Sequence, residues 1–246
     1  MIFDSHVHIG RSTWGHIDHD ADAIVALADR AGVEKMMVTD FTALQYDMWE
    51  GNEHMRRERD RYPDRIFPYF TVCSARYGRR VIEELERYVN EHGFVGLKIY
   101  SVPPLYKMVD PYMYPVIEKA AELRIPILSH SNAEECEAVS RLYPEAMLIN
   151  AHMNNCPEGQ GDWHRSIAAA KAFPNIILDT TCSAFDNGMI EHAVEEVGAE
   201  RIIYGSDSPL LDPLLQVAKV KGAEISDEAK ELILHGNIER MLGQRR

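Results

Sequence analysis

Asp4-Ser5-His6-Val7-His8 stands almost at the start of the chain, between Ile2-Phe3 and Ile9-Gly10. As a strand it turns alternate side chains to one side, so Asp4, His6 and His8 are expected to share a face. Two imidazoles two residues apart, at the end of a buried strand, can reach one metal ion about 2.0–2.1 Å from each nitrogen. The His-x-His spacing is short and the chain holds 11 histidines, so the pair gains meaning only from its company. Two short apolar runs further on each end in a histidine, IPILSH at His130 and AMLINAH at His152. RIIYGSD ends in Asp207, and FVGLKIY carries Lys98 and Tyr100. One strand-terminal histidine has an ordinary explanation as a solvated or capping residue. Several metal-capable and ionisable side chains, each at the end of a different apolar strand, do not share one.

The elements that must position them follow from the apolar pattern. Strands are expected at 4–8, 33–39, 66–73, 94–100, 125–130, 146–152, 175–180 and 201–207. Helices are expected at 20–32, 52–61, 77–92, up to about 123, 132–142, 164–173, 187–197 and from 213 onward; 40–51 and 153–162 read as loops. Continuous apolar runs mean strands buried on both sides, hence a parallel sheet. No G-x-G-x-x-G follows the first strand and no phosphate-loop motif is present, so a nucleotide fold lacks its signature. A (β/α)8 TIM barrel, one domain over residues 1–246, is the simplest arrangement; an open doubly wound sheet is the alternative. The length of 246 residues is close to the ~250 typical of such barrels. In a barrel, residues at the C-terminal strand ends face one site.

Composition narrows the partners. The formal net charge of −13 and the mixed signs of Arg56-Arg57-Glu58-Arg59-Asp60-Arg61 leave no basic stripe for nucleic acid. No apolar run approaches the ~20 residues of a membrane span, and the N-terminal residues lack the pattern of a signal peptide. Cys73, Cys136, Cys156 and Cys182 form no CxxC pair, so free thiols and a cytoplasmic setting are expected. The expected partner is a small-molecule substrate, with a homo-oligomer left open.

Taken together, DSHVH, YPDRIFPYFTV, GLKIY, ILSHS, NAHM, NIILDT, YGSDSP and HGNIERML resemble, in order and over the whole chain, the metal-dependent amidohydrolase superfamily. The resemblance is to the amidohydrolase-related branch that also holds the aminocarboxymuconate semialdehyde and resorcylate decarboxylases. It implies that His6, His8, His130 and Asp207 ligate one metal, Zn²⁺ or another divalent ion such as Mn²⁺ or Fe²⁺. It also implies that Asp207 and His152 act in catalysis. A strand-four lysine is carboxylated in binuclear relatives; the preferred reading here leaves Lys98 unmodified and facing substrate. Tyr100, Asn154 and Trp163 are candidate substrate contacts, with Glu158, His164 and Arg76 behind them, and Asp4 is a candidate to orient a ligand. The activity expected first is hydrolysis of a small amide, ester or lactone by metal-activated water. Non-oxidative decarboxylation of a small carboxylic acid is the alternative.

Overall fold

The computed structural model describes residues 1–13, 17–100, 107–154, 162–182 and 187–243. Its strands are β1 (Phe3–Arg11), β2 (Asp18–His19), β3 (Lys35–Asp40), β4 (Ile66–Val72), β5 (Gly96–Tyr100), β6 (Ile127–His130), β7 (Leu148–Asn150), β8 (Ile176–Asp179) and β9 (Ile202–Ile203). They form one sheet in the order β2-β1-β3-β4-β5-β6-β7-β8-β9. Every neighbouring pair is parallel except the short antiparallel β1–β2 ribbon. The two ends meet through backbone bonds. Ser5 N–H donates to Tyr204 O at 3.0 Å, Asp207 N–H to His6 O at 2.7 Å, and His8 N–H to Ser208 O at 2.8 Å. Val7 and Ser208 form a parallel bridge there. The eight parallel strands thereby close into the expected TIM barrel.

Around it run α1 (Ala21–Ala31), α2 (Phe41–Gln45), α3 (Met48–Arg61), α4 (Arg79–Glu91), α5 (Tyr114–Glu122), α6 (Ala133–Leu142), α7 (Trp163–Ala172), α8 (Met189–Val197), α9 (Pro213–Gly222), α10 (Asp227–Glu231) and α11 (Asn237–Gly243). Two apolar layers result. Outward-facing strand residues such as Val7, Met36, Val38, Leu97, Ile99 and Ile127 pack on the helices. Inward-facing Phe3, Met37, Tyr69, Leu128, Ile149 and Ile203 fill the barrel, with Ile238 and Met241 of α11 beneath them. Among the described residues no helix is long and apolar enough to cross a membrane.

The structure corrects three local expectations. Asp4 does not share the face of His6 and His8. Asp4 pairs with Met36 and Val7 with Val38, so β1 spends three residues where β3 spends two. That β-bulge reverses the alternation. Met36 and Val38 both face the helices, and Asp4 therefore points outward, into a small gap beside Ile24, Ala28 and Pro213. Residues 40–51 are not a loop. Asp40 caps α2 through Thr42 N, and Asp47 caps α3 through Trp49 N and Glu50 N. The aspartates supply the helix starts, although the aromatic residues between them read as loop. Finally, the strand over 146–152 stops at Asn150, and His152 lies in the turn beyond it.

Asp40 also ties α3 to the barrel, since His54 Nδ1 lies 2.6 Å from its buried carboxylate. The hydrogen bond to Asp40 raises the His54 pKa above its ordinary value of 6.5. A folded-state pKa above the unfolded one stabilises the fold below the unfolded value, and that stabilisation is lost as pH rises through the raised one. Urea unfolding should show His54→Gln lowering stability more at pH 5.5 than at pH 8.5. An equal loss at both pH values would show that the pair contributes no charge-dependent stability.

Candidate active site

Above the apolar filling, the inward side chains become polar. His6 and His8 come from β1, Thr39 from β3, Thr71 from β4, Lys98 and Tyr100 from β5, His130 from β6 and Asp179 from β8. Register places them side by side: His8 opposite Thr39, Thr71 opposite Lys98, and Tyr100 opposite His130. His152 arrives from the turn after β7, and Asp207 from the segment that closes the barrel. His6, His8, Lys98, His152, Asp179 and Asp207 are all buried.

One ligand-type atom each from His6, His152 and Asp207 lies within 4.8 Å of the other two. His8 joins through Asp207, whose Oδ1 is 2.9 Å from His8 Nε2 and 3.6 Å from His6 Nε2. The His130 ring stands edge-on to His152 at 4.9 Å, with Tyr100 edge-on behind it at 5.2 Å. Both β1 imidazoles have the far nitrogen engaged. His6 Nδ1 is 2.8 Å from Asp179 Oδ2, and His8 Nδ1 is 2.6 Å from Thr39 Oγ1. Their Nε2 atoms are thereby turned to the centre, the usual orientation of metal-binding histidines. Lys98 Nζ sits 2.9 Å from His6 Nε2.

Burial sets the protonation states. It lowers the His6 pKa, with Lys98 adding to the effect, and pushes His8 down to about 4 and His152 to about 3. Burial also brings Lys98 down to about 8, still mostly ammonium at neutral pH. At Asp207 burial works the other way, but the hydrogen bond from His8 and the imidazoles of His6 and His152 hold its carboxyl well below the usual range. Neutral imidazoles around an ionised carboxylate are the donor chemistry of a divalent transition-metal ion. The residues present fit one.

The backbone here is strained. Five non-glycine residues have positive φ among those described, and four of them are His152, Met153, Asn154 and Asp207. Left-handed residues cost roughly 1–2 kcal/mol each and persist where surroundings over-determine them, often at functional sites. Of the other sequence candidates, Asn154 lies in this turn and its Nδ2 donates to Asp162 O. Trp163 opens α7 and stacks on His164 at 3.7 Å, with His192 edge-on at 5.8 Å. Arg76 is exposed and lies over the Tyr112 ring, as a surface arginine would. Glu158, Cys156 and His16 fall outside the described residues. Sequence reading missed Asp179. The NIILDT run contains it, and an aspartate ending an apolar strand was the available signal. Gly205 was missed as well: a Cβ there would lie 2.3 Å from Asp179 Oδ1, 2.4 Å from Thr181 Oγ1 and 2.9 Å from His6 Cβ.

The family model described as Amidohydrolase matches residues 3–244. No curated protein matches the chain. Solved structures share the fold at low identity. The 5-carboxyvanillate decarboxylase of Sphingomonas paucimobilis is 14% identical over 98% of each chain, with a TM-score of 0.76. The dihydroxybenzoic acid decarboxylase of a Polaromonas species, with bound manganese and 2-nitroresorcinol, is 18% identical over 100% of this chain and 97% of that one, at 0.77. A probable 2-pyrone-4,6-dicarboxylic acid hydrolase of Acinetobacter baumannii is 14% identical over 98% of this chain and 99% of that one, at 0.74.

The crowding around Gly205 predicts its own test. Gly205→Ala should destabilise the fold by about 1–3 kcal/mol in urea, the usual cost of overpacking. Gly222→Ala, where an added Cβ meets nothing within 4 Å, should leave stability within roughly 0.5 kcal/mol. Equal stability of the two variants would show that the Asp179 pocket is not tightly packed.

Proposed function

Because this chain belongs to the amidohydrolase family, we propose that it is a metal-dependent enzyme that decarboxylates a small planar carboxylic acid without oxidation, within one domain over residues 1–246. In this reading His6, His8, His130 and Asp207 hold one divalent ion: zinc, manganese or iron(II). When bound, the ion supplies Lewis-acid polarisation of substrate oxygens. His152 faces the substrate. The trio of ligand-type atoms lying within 4.8 Å of one another includes His152 rather than His130, and metal analysis of His130→Ala and His152→Asn tells the two histidines apart.

The observation that carries the reading is the charge of the barrel interior. Asp179 and Asp207 are ionised, Lys98 is an ammonium, and His6, His8 and His152 are neutral. A dication added to this set leaves one positive charge uncompensated, and an unpaired buried charge is costly. A monoanionic acid cancels it, whereas a neutral amide or ester does not. The Lys98 ammonium is then the cation that would meet the substrate carboxylate. At the same end of the barrel, Phe41 lies parallel to His8 at 4.6 Å and forms an apolar cluster with Leu44, Tyr100, Ile17 and Leu210. A flat apolar body suits that wall.

In decarboxylation the bond from the carboxyl group to its neighbouring carbon breaks and CO₂ leaves. The electron pair stays on that carbon, which takes a proton. Among these groups the Lys98 ammonium, with its pKa of about 8, holds that proton at neutral pH, and the ionised Asp207 carboxylate and neutral His152 would relay it to the carbon. Two of the three relatives described above are decarboxylases, which supports the same choice. Hydrolysis, the expectation from sequence, draws on the same side chains and has the third relative in its favour.

Metal analysis should give one equivalent of divalent ion in the wild type and almost none in His6→Ala or His130→Ala. His152→Asn should keep its metal and lose about 10²–10⁴-fold in rate. Loss of metal in His152→Asn, or two equivalents in the wild type, would overturn this ligand set; the second result would point to carboxylated Lys98.

Metal-replete enzyme should release CO₂ from a panel of hydroxybenzoates and muconate-type acids. Lys98→Met should raise KM for the acid that turns over. Turnover confined to a parallel panel of amides, lactones and cyclic imides would establish the hydrolase instead.

A further inference from the structure

Asp179, at the end of β8, has both carboxylate oxygens occupied. Oδ1 accepts from Thr181 N–H at 3.0 Å and from the Thr181 hydroxyl at 2.8 Å. Oδ2 is 2.8 Å from His6 Nδ1 and 3.4 Å from the backbone nitrogen of His152. One oxygen anchors the carboxylate to the residues just past its own strand, and the other reaches two elements distant from it in sequence. The first is the β1 imidazole. The second is the left-handed turn in which His152, Met153 and Asn154 have φ of 63°, 46° and 61°. A turn of this kind persists only where contacts hold it, and the Asp179–His152 contact is one of them.

The same oxygen determines which nitrogen of His6 carries the proton. A carboxylate can only accept, so His6 must present Nδ1–H to it. Lys98 Nζ, 2.9 Å from Nε2, is a donor that requires a lone pair on Nε2. The two neighbours therefore select one tautomer, with the Nε2 lone pair facing the centre. Asp4, the other buried acid near β1, accepts from the backbone N–H groups of His6 and Ser206 and from the Ser206 side chain, and none of these partners is the His6 ring.

We propose that Asp179 is a positioning residue that sets the tautomer and plane of His6 and pins the turn carrying His152. One side chain thus fixes the metal-binding imidazole and the substrate-facing imidazole relative to each other. The proposal rests on the reading that His6 is a metal ligand.

The isosteric Asp179→Asn tests it. If the amide oxygen stays toward His6, its NH₂ faces Thr181 N–H and two donors oppose each other. If the NH₂ turns to His6, the ring must adopt the Nε2–H form and lose its central lone pair. Mn²⁺ titration of metal-free protein, followed by the EPR signal of free Mn²⁺, should show a 10–100-fold loss of affinity. The Co²⁺-loaded variant should show an altered visible spectrum, and the His152 amide should exchange faster with deuterium. His6→Ala and Asp207→Ala are titrated beside it. Wild-type affinity in both would refute the ligand reading itself. Loss of binding in both, with wild-type affinity, Co²⁺ spectrum and His152 exchange in Asp179→Asn, would refute the role of Asp179. Should that variant not fold, the ¹⁵N shifts of His6 in the wild-type protein decide: Nδ1–H is expected, and an Nε2–H ring overturns the proposal.

Discussion

The backbone ladder between β1 and residues 204–208 joins the two ends of the chain. Three hydrogen bonds, from Ser5 N–H, Asp207 N–H and His8 N–H, make it as regular as a strand pair, although β9 itself is only Ile202–Ile203. Asp207 N–H donates to the carbonyl of His6 itself, so the carboxylate and the imidazoles of His6 and His8 are neighbours by backbone geometry. Gly205 permits this approach, because any larger residue would strike Asp179 and the His6 side chain. Without closure at this seam there is no barrel and no meeting of the strand-end side chains.

Closure also creates an electrostatic problem. Two aspartates, a lysine and several imidazoles are withdrawn from water at one end of the barrel. Burial drives the imidazoles and Lys98 toward their neutral forms, while hydrogen bonds hold the aspartates ionised. Acceptors thereby outnumber cations at the centre, which is the condition for taking up a divalent ion. The Nδ1 contacts of His6 and His8 turn both rings the same way, so the acceptors converge.

Strain concentrates in the same place. The turn at His152 and the kink at Asp207 hold left-handed backbone without glycine. Each aims an ionisable side chain into the barrel from a segment that has left its strand. The lower barrel, packed by Phe3, Tyr69, Leu128 and Ile203, is a rigid floor against which these segments are set. The bulge in β1 adds to this economy of space: Phe3 enters the apolar floor, and His6 and His8 still face inward above it.

Local pattern was sufficient for much of this. Apolar runs of strand length, separated by amphipathic helices, specify a parallel barrel because each run must be buried on both sides. His6, His8, Lys98 and His130 within apolar runs, and Asp207 just past one, were legible because a barrel turns such positions to one face; that Asp207 lies beyond its strand, β9 ending at Ile203, came from the structure. The helix starts at Asp40 and Asp47 and the strained turn at His152 were not, since caps and left-handed turns depend on where neighbouring backbone lies. Asp4 shows the limit most plainly. Period-two alternation put it beside His6, but the bulge against β3 turned it outward, and register is a property of two strands. Asp179 and Gly205 mark the same boundary. Sequence supplied an acid and a glycine at strand ends, while the partners that give them meaning come from strands distant in the chain and meet only once the barrel closes.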